Sequence, residues 1–498
     1  MKQKHIIIKN TFMYSGASYI VIIVGLIVSV SSKKLLGVSG AGYWALLTVI
    51  TTYGMFINLG IGKALIREVP QRMGAGETEK AKKIVDVTFS YLIVAGLVVA
   101  VVIWLLSFFL FTNPLLKTGM KIIAVLVPMT LMYNLVINVL RAKKQISILS
   151  KVIIINILFI AMFAIPGAYL FNVNGFAAGT VIATALSFCL AKRWSNIRFS
   201  LSFDWDQIWH LIKIGFAMFL ASILFRTFLN VDKIMIGKML GIEQLGLYTI
   251  GIMAVQQVGS LPRFFNIVIF SHIQEKYGAT KDVMDVKEMI LKPTYFVSRL
   301  MPIFIGVIIF LAQPLVLFLL PQFKDGLDVV KILVLGYFFM AVNQMSSALL
   351  FTIDKQKLLI PLYGIMVAVS IGLNYLFITL GWRITGVALG TSISYYLFFL
   401  VVFTLASSHI MEWRSIVRFH FEIMIFYIYF LINILWIDAI VNFPDIILTA
   451  FLKITCFLLI SIPVLISVQR RERIFSLIVE VLKSKIFSAR LDDKSAEK

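Results

Sequence analysis

The chain has 498 residues, is 60% hydrophobic and only 14% charged, and carries a formal net charge of +22 with a mean hydropathy of +0.95. No water-soluble domain of this size can present so apolar a composition to solvent, so lipid is its main medium. Solid blocks of Ile, Leu, Val and Phe also exclude a membrane barrel, whose strands alternate apolar and polar residues.

About fourteen apolar runs of roughly 20 residues follow one another, each long enough to cross a ~30 Å hydrocarbon core as helix. They begin near Thr11, Ala41, Val85, Met120, Ser150, Gly175, Leu211, Gly246, Thr294, Asp328, Leu358, Gly386, Phe421 and Ile446. The first run is long and lacks a small-residue cleavage site, which predicts a retained signal anchor. With the N-terminus inside, 35 of the 46 Lys and Arg residues fall in inner segments and 10 in outer ones, leaving Arg226 near the middle of a span. Such a bias sets orientation during insertion and predicts cytoplasmic termini. The basicity is therefore topological, and no nucleic-acid partner is expected.

Cys189 and Cys456 lie in apolar runs and read as small packing residues rather than a disulfide. The five histidines are scattered without ligand spacing, so no metal is expected. Gly62-Lys63 lacks the Ser or Thr of a phosphate loop, Ala64 standing there instead, which argues against a nucleotide site. No cofactor and no enzymatic activity are expected.

The chain repeats itself. "KLLGVSGAGYW" (34–44) matches "KMLGIEQLGLY" (238–248) at an offset of 204, and "GFAAGTVIATALSF" (175–188) matches "GVALGTSISYYLFF" (386–399) at an offset of 211, as does Lys144-Gln145 with Lys355-Gln356. Two lobes are predicted, 1–205 (spans 1–6) and 206–410 (spans 7–12), followed by spans 13–14 over 411–468 and a cytoplasmic tail, 469–498. An even number of spans returns the second lobe in the same orientation, so the repeats are parallel, as in alternating-access transporters. The expected fold is all-α: a polytopic membrane protein with about 14 transmembrane helices in two parallel six-helix lobes plus two extra C-terminal helices. The repeated glycines also permit close helix packing, which explains each glycine but not the shared offset.

Charges interrupt the second lobe near its start. On a continuous helix from about Leu211 to Gly237, Ser222, Arg226, Asn230 and Lys233 share one face, with Asp232 about 100° away from Lys233. An arginine at such depth costs at least ~2.5 kcal/mol to insert and must face water or a partner. The next span adds Gln256, Ser260 and Arg263 at helical spacing; Asn134, Asn138 and Arg141 repeat the pattern, and Asn343, Gln344, Ser346 and Ser347 crowd a later helix. Either the charges pair with other helices and fix packing, or Arg226, Lys233 and Arg263 line a site for an anionic substrate, since guanidinium and ammonium groups suit phosphate oxygens.

The stretches "KNTFMYSGASYIVIIVGLIVS", "LGVSGAGYWALL" and "LFRTFLNVDKIMIGKMLGIEQLGLYTIG" resemble the bacterial polysaccharide flippases, the O-antigen translocase branch of the multidrug/oligosaccharidyl-lipid/polysaccharide exporter superfamily. The resemblance covers essentially the whole chain, and its most specific element runs from Asp232 through Gly237, Leu240-Gly241 and Gly246 to Tyr248. It implies a multi-pass protein of the bacterial inner membrane that flips an undecaprenyl-pyrophosphate-linked oligosaccharide to the outer leaflet for surface polysaccharide synthesis, O-antigen, lipopolysaccharide or exopolysaccharide. It also implies a cationic cavity between two lobes, to which Arg226, Asp232, Lys233 and Arg263 carry over; Asn230, Gln256 and Ser260, from the helical spacing, complete the candidate substrate-binding residues. Implied partners are the lipid-linked oligosaccharide, membrane lipids and a polysaccharide polymerase or other assembly proteins. The first helix lacks the arginines of the peptidoglycan-precursor branch, which disfavours lipid II as substrate.

Two rivals remain. An ion-coupled multidrug antiporter of the same superfamily needs a membrane carboxylate, and residues 1–203 hold only Glu68, Glu77, Glu79 and Asp86, leaving Asp232, Asp354 and Asp438 as candidates. A membrane polymerase or ligase needs long outer loops, whereas the long hydrophilic stretches here, 67–83 and 271–292, are on the inner side. The tail from Arg470 to Phe487 reads as an amphipathic helix on the inner surface.

Overall fold

The computed structural model describes residues 2–109, 111–260, 262, 270, 273–274 and 276–472. Among these there are no strands. The predicted inner-surface helix at 470–487 lies almost wholly outside the described residues, as does Arg263.

The first half of the chain is built from α1 (Lys2–Gly54), α2 (Ile61–Gly74), α3 (Thr78–Phe109), α4 (Pro114–Ala142), α5 (Ile146–Phe159) and α6 (Ile165–Ser195). After a linker come α7 (Trp205–Phe228), α8 (Val231–Met239) and α9 (Ile242–Val258), then α10 (Lys287–Leu319), α11 (Leu327–Val342), α12 (Gln344–Thr352), α13 (Leu359–Thr379) and α14 (Arg383–Ser407). The last two are α15 (Trp413–Ile440) and α16 (Ile446–Glu472). Each of the fourteen predicted runs begins on helix. Among the described residues ten helices are long and apolar enough to cross a membrane, and two of those, Ser18–Asn58 and Ile146–Ser195, are 41 and 50 residues long and each cover two of the runs, the first run but for its opening residues.

These two long helices turn where backbone conformation, not hydropathy, dictates. Gly37 (φ 70°, ψ −176°) interrupts α1, and Gly241, 204 residues later, takes φ 93° and ψ 170° just before α9. Only glycine adopts that region without strain. Asn172 (φ 53°) interrupts α6, and Arg383, 211 residues later, has φ 49° at the start of α14. The sequence offsets are thus repeated in backbone geometry.

They are repeated in packing too. A Cβ at Gly42 would collide with the carbonyl of Ile242, and one at Gly246 would collide with the carbonyl of Val38. Val38 and Gly42 lie 204 residues before Ile242 and Gly246, so α1 and α9 cross through a reciprocal contact of equivalent residues. Likewise Gly179 meets the Phe163 carbonyl, and a Cβ at Gly390 would lie 2.5 Å from Asn374 Oδ1, with both partners again 211 apart. Without a hydrophobic force between helices in lipid, such small-residue approaches carry much of the association.

The chain forms two compact units: Met1–Ser260 with Leu315–Gly336 and Asp354–Phe398, and Leu261–Pro314 with Tyr337–Ile353 and Phe399–Lys498. The first has an aliphatic core that includes Leu47, Ile61, Leu65, Val127, Val136 and Leu140. The second is aromatic: Phe338 stacks on Tyr427 at 4.9 Å, Phe403 stacks on Phe419 at 5.3 Å, and the Phe457 ring fills the space a side chain at Gly306 would need. Lys453, nearly fully buried in α16, donates to Asp438 Oδ1 of α15 at 2.7 Å. Both cysteines are free, and Cys189 is exposed rather than packed as its apolar surroundings predict.

The linker after α6 is fastened to α3. Asp86 accepts the Ser200 amide (3.0 Å) and hydroxyl (2.6 Å), and Ser90 Oγ accepts the Ser202 amide at 2.8 Å. Phe199 stacks on Phe89 at 4.6 Å, and Lys83 reaches Asp204 at 2.5 Å. The Lys83 ammonium, followed by the Gln207 amide, holds the Asp204 carboxyl below its ordinary range. Asp86→Ala therefore strips two hydrogen bonds from Ser200, both of them to a buried carboxylate. Each such charge-assisted bond contributes about 1.5–3 kcal/mol. Limited proteolysis is expected to cut the 196–204 linker several-fold faster in the variant, and an unchanged rate would mean that the linker is held elsewhere.

Candidate functional site

The predicted unbroken helix from Leu211 to Gly237 is interrupted at Leu229 and Asn230. In a continuous helix the Arg226 carbonyl would accept the Asn230 backbone N–H. Instead the Asn230 side-chain Nδ2 donates to it at 2.7 Å, while the Asn230 N–H turns to the Thr227 carbonyl at 3.0 Å. A side-chain amide has displaced the backbone donor, the competition through which Asn disfavours helix interiors. α7 consequently ends at Phe228 and α8 starts at Val231.

The break alters the predicted stripe. Arg226 is exposed on the last turn of α7, Asn230 is buried in the break, and Lys233 is partly buried on the first turn of α8. They no longer line one helical face, yet they remain connected: Lys233 Nζ donates to Asn230 Oδ1 at 2.7 Å, so the Asn230 amide bridges the ammonium and the Arg226 backbone. Lys233 and Arg226 lie close enough to repel one another.

Asp232 points elsewhere. Its Oδ2 accepts the hydroxyl of the fully buried Tyr248 at 2.8 Å, and its Oδ1 accepts the Lys233 backbone N–H, also at 2.8 Å. An acid in the first turn of α8 also complements the helix dipole. Asp232 attracts Lys233 but forms no ion pair with Arg226 among the described residues. On α13, which packs against α8, the side chains of Ser370 and Asn374 have buried polar atoms without hydrogen-bond partners among the described residues.

Lys63 joins the site unforeseen. Its ammonium donates to the Met218 carbonyl at 2.9 Å and to the Ser222 hydroxyl, one turn before Arg226, and it repels Arg226 electrostatically. Counted among the Lys and Arg of the inner segments, Lys63 stands on α2, packed against α7. Gly60, at φ 82°, opens that helix, and a Cβ there would lie 2.5 Å from the Gly215 carbonyl of α7. The apolar flanks Ile61, Ala64 and Leu65, all fully buried, were the available sign that Lys63 is framed by protein core and not by a solvated loop.

The remaining candidates are less connected. Gln256 is exposed on α9, and Ser260 lies beyond the end of that helix with its hydroxyl turned to the Gln257 carbonyl at 2.6 Å. No hydrogen bond among the described residues joins either to Arg226 or Lys233. The nucleus of the site is thus Lys63, Arg226 and Lys233, with Ser222 and Asn230 as hydroxyl and amide between them. Three like charges drawn together on adjacent helices can hold a multivalent oxyanion, and the polar groups between can meet hydroxyls.

A model of the family described as polysaccharide biosynthesis protein matches residues 33–323, more than half of the chain. No match is found among curated proteins. Among solved structures the chain is similar to the lipid II flippase MurJ in an inward closed conformation, with a TM-score of 0.67 at 16% identity, covering 91% of this chain and 100% of that one. It is also similar to an inward-facing multidrug resistance MATE family transporter of the MOP superfamily (TM-score 0.65, 14% identity, 78% and 95% covered). A third is a MOP superfamily transporter from Pyrococcus furiosus, described by a reversed polarity of its binding pocket (TM-score 0.58, 15% identity, 80% and 96% covered). At such identities the likeness establishes the fold.

Proposed function

Because the chain belongs to the polysaccharide biosynthesis protein family, we propose that it flips an undecaprenyl-pyrophosphate-linked oligosaccharide from the cytoplasmic to the outer leaflet of a bacterial inner membrane, with both termini cytoplasmic. The observation that carries this reading is the convergence of Lys63, Arg226 and Lys233 within a chain otherwise built to avoid charge. A pyrophosphate needs several cations at once, and guanidinium and ammonium groups supply them. A sugar headgroup loses several kcal/mol for each hydroxyl left unpaired in hydrocarbon, roughly 2–7 depending on reference. Side chains such as Ser222 and Asn230 would replace that hydration while the prenyl tail stays in lipid.

Alternating access between two parallel six-helix lobes, 1–205 and 206–410, completes the proposal. It is supported by the reciprocal contact of Gly42 and Gly246 and by the matched backbone of Gly37 and Gly241. Spans 13–14 (411–468) and the tail (469–498) fall outside the repeat. A polymerase acting on the delivered oligosaccharide would be the partner on the outer side. Gln256, Ser260 and Arg263 are proposed as further substrate contacts from their place at the end of α9 and beyond.

A second reading, ion-coupled multidrug export, draws on Asp232, a buried carboxylate in a helix of the second half. The contacts of the first half disfavour it: Glu77 is engaged by Arg72 at 2.8 Å and Lys80 at 2.7 Å, and Asp86 by the linker. One experiment separates the two. A strain lacking the gene is expected to lose surface glycan and to accumulate lipid-linked oligosaccharide. The wild-type gene should restore display, and Lys63→Gln should restore it several-fold less well at equal protein level. Normal glycan together with altered drug resistance in the deletion strain would replace the flippase by the antiporter.

A further inference from the structure

The N-terminal portions of α10 and α15, both in the second compact unit, form an open pocket of about 320 Å³. Its polar side carries Lys292, Arg418 and the Ser415 hydroxyl, and its apolar side Leu291 and Phe419. Ser415, Arg418, Phe419 and Glu422 are spaced 3, 4 and 7 along α15 from the first of them, so one helical face supplies them.

Behind the pocket the wall is charged. Arg299 is 3% exposed, and its guanidinium carbon lies 3.0 Å from the Tyr295 ring centre and 4.2 Å from that of Phe426. Glu422 stands 4.0 Å from Arg299 and accepts from Arg418 Nε at 3.3 Å, so one carboxylate is shared between two guanidiniums. Lys292 pairs at 2.7 Å with Glu288, which lies outside the lining and is 76% exposed. Around the pocket three cations, Lys292, Arg299 and Arg418, thus stand with two acids, Glu288 and Glu422. The exposed Trp413 and Phe421 lie on other faces of the same stretch of α15, aromatic side chains of the kind that gathers at the membrane interface.

We propose that this pocket binds the phosphate of an anionic phospholipid from the leaflet that the basic ends of α10 and α15 face. Arg418 and Lys292 take the phosphate oxygens, Ser415 donates a hydroxyl, and the glycerol and upper acyl carbons lie on Leu291 and Phe419. Guanidinium and ammonium groups match a phosphate, and the volume falls in the range of small-ligand sites. The site differs from the Lys63, Arg226 and Lys233 group in residues and in consequence, since a bound structural lipid is retained and not transported.

The test uses the full chain, purified in detergent and depleted of lipid, with melting temperature as the readout. Short-chain phosphatidylglycerol is expected to raise it, and phosphatidylcholine is not. The double variant Lys292→Gln, Arg418→Gln is expected to need at least tenfold more phosphatidylglycerol for the same shift. Both side chains are more than half exposed, at 58% and 81%, so the unliganded variant should melt as the wild type does. A shift by inorganic phosphate that the double variant loses would uphold the phosphate chemistry and move its source from lipid to a soluble compound. Equal phosphatidylglycerol dependence in variant and wild type, or equal response to the two lipids, would overturn the proposal. Oligosaccharide transport does not enter this readout, so the result stands whether or not the flippase reading does.

Discussion

Arg226→Ala is expected to abolish surface glycan display while the protein still reaches the membrane in normal amount. An arginine within an apolar span opposes insertion, so its removal does not hinder it. Under the proposed function, what would be lost is a charge-assisted interaction of about 1.5–3 kcal/mol with the substrate anion. That corresponds to roughly tenfold or more in affinity. Lys63 and Lys233 would still attract the anion but without the bidentate fork, so Arg226→Lys should retain part of the activity. Immunoblots of surface polysaccharide alongside membrane-fraction protein in a deletion strain give the answer, and full display by Arg226→Ala would remove Arg226 from the substrate site.

Gly246→Val should be more damaging still, and for a different reason. The space for its side chain is occupied by the Val38 carbonyl, which is backbone and cannot rotate away. Overpacking in well-packed sites costs about 1–3 kcal/mol, and occasionally more. Because α1 crosses α9 at this point and its own Gly42 abuts the Ile242 carbonyl, separation at one contact strains the other. The expected outcome is loss of folded protein, read as a several-fold fall in membrane-fraction abundance and a lower melting temperature in detergent. Gly364→Ala is the control, since a Cβ there meets nothing within 4 Å. Normal abundance of Gly246→Val would mean that the crossing is not native packing.

The same glycines explain what could be read from the chain beforehand. Long apolar runs depend on solvent preference, which each residue carries with it, so the helical membrane fold was legible. The matches at 204 and 211 were legible because glycine tolerates no substitute where a backbone needs positive φ or close approach, as at Gly37, Gly241 and Gly246. The break at Asn230 was not, because hydropathy and periodicity continue smoothly through Leu229; only the choice of donor for one carbonyl decides it. Arg226 and Lys233 were found by their incongruity in an apolar run. Lys63 was missed because a lysine between two spans counts as a loop charge until the position of α2 against α7 is known.

The fastened linker has a mechanical consequence. With Ser200, Ser202 and Asp204 all tied to α3, the covalent connection ahead of α7 has little slack, and its base moves with the first half of the chain. Bending in this region is then left to the joint at Leu229 and Asn230, which separates Arg226 from Lys233. A few degrees there would spread or gather the two cations without either side chain changing its rotamer. Grip on an anion would thus be set by the angle between two helices, with the Asn230 amide as the pin of the joint.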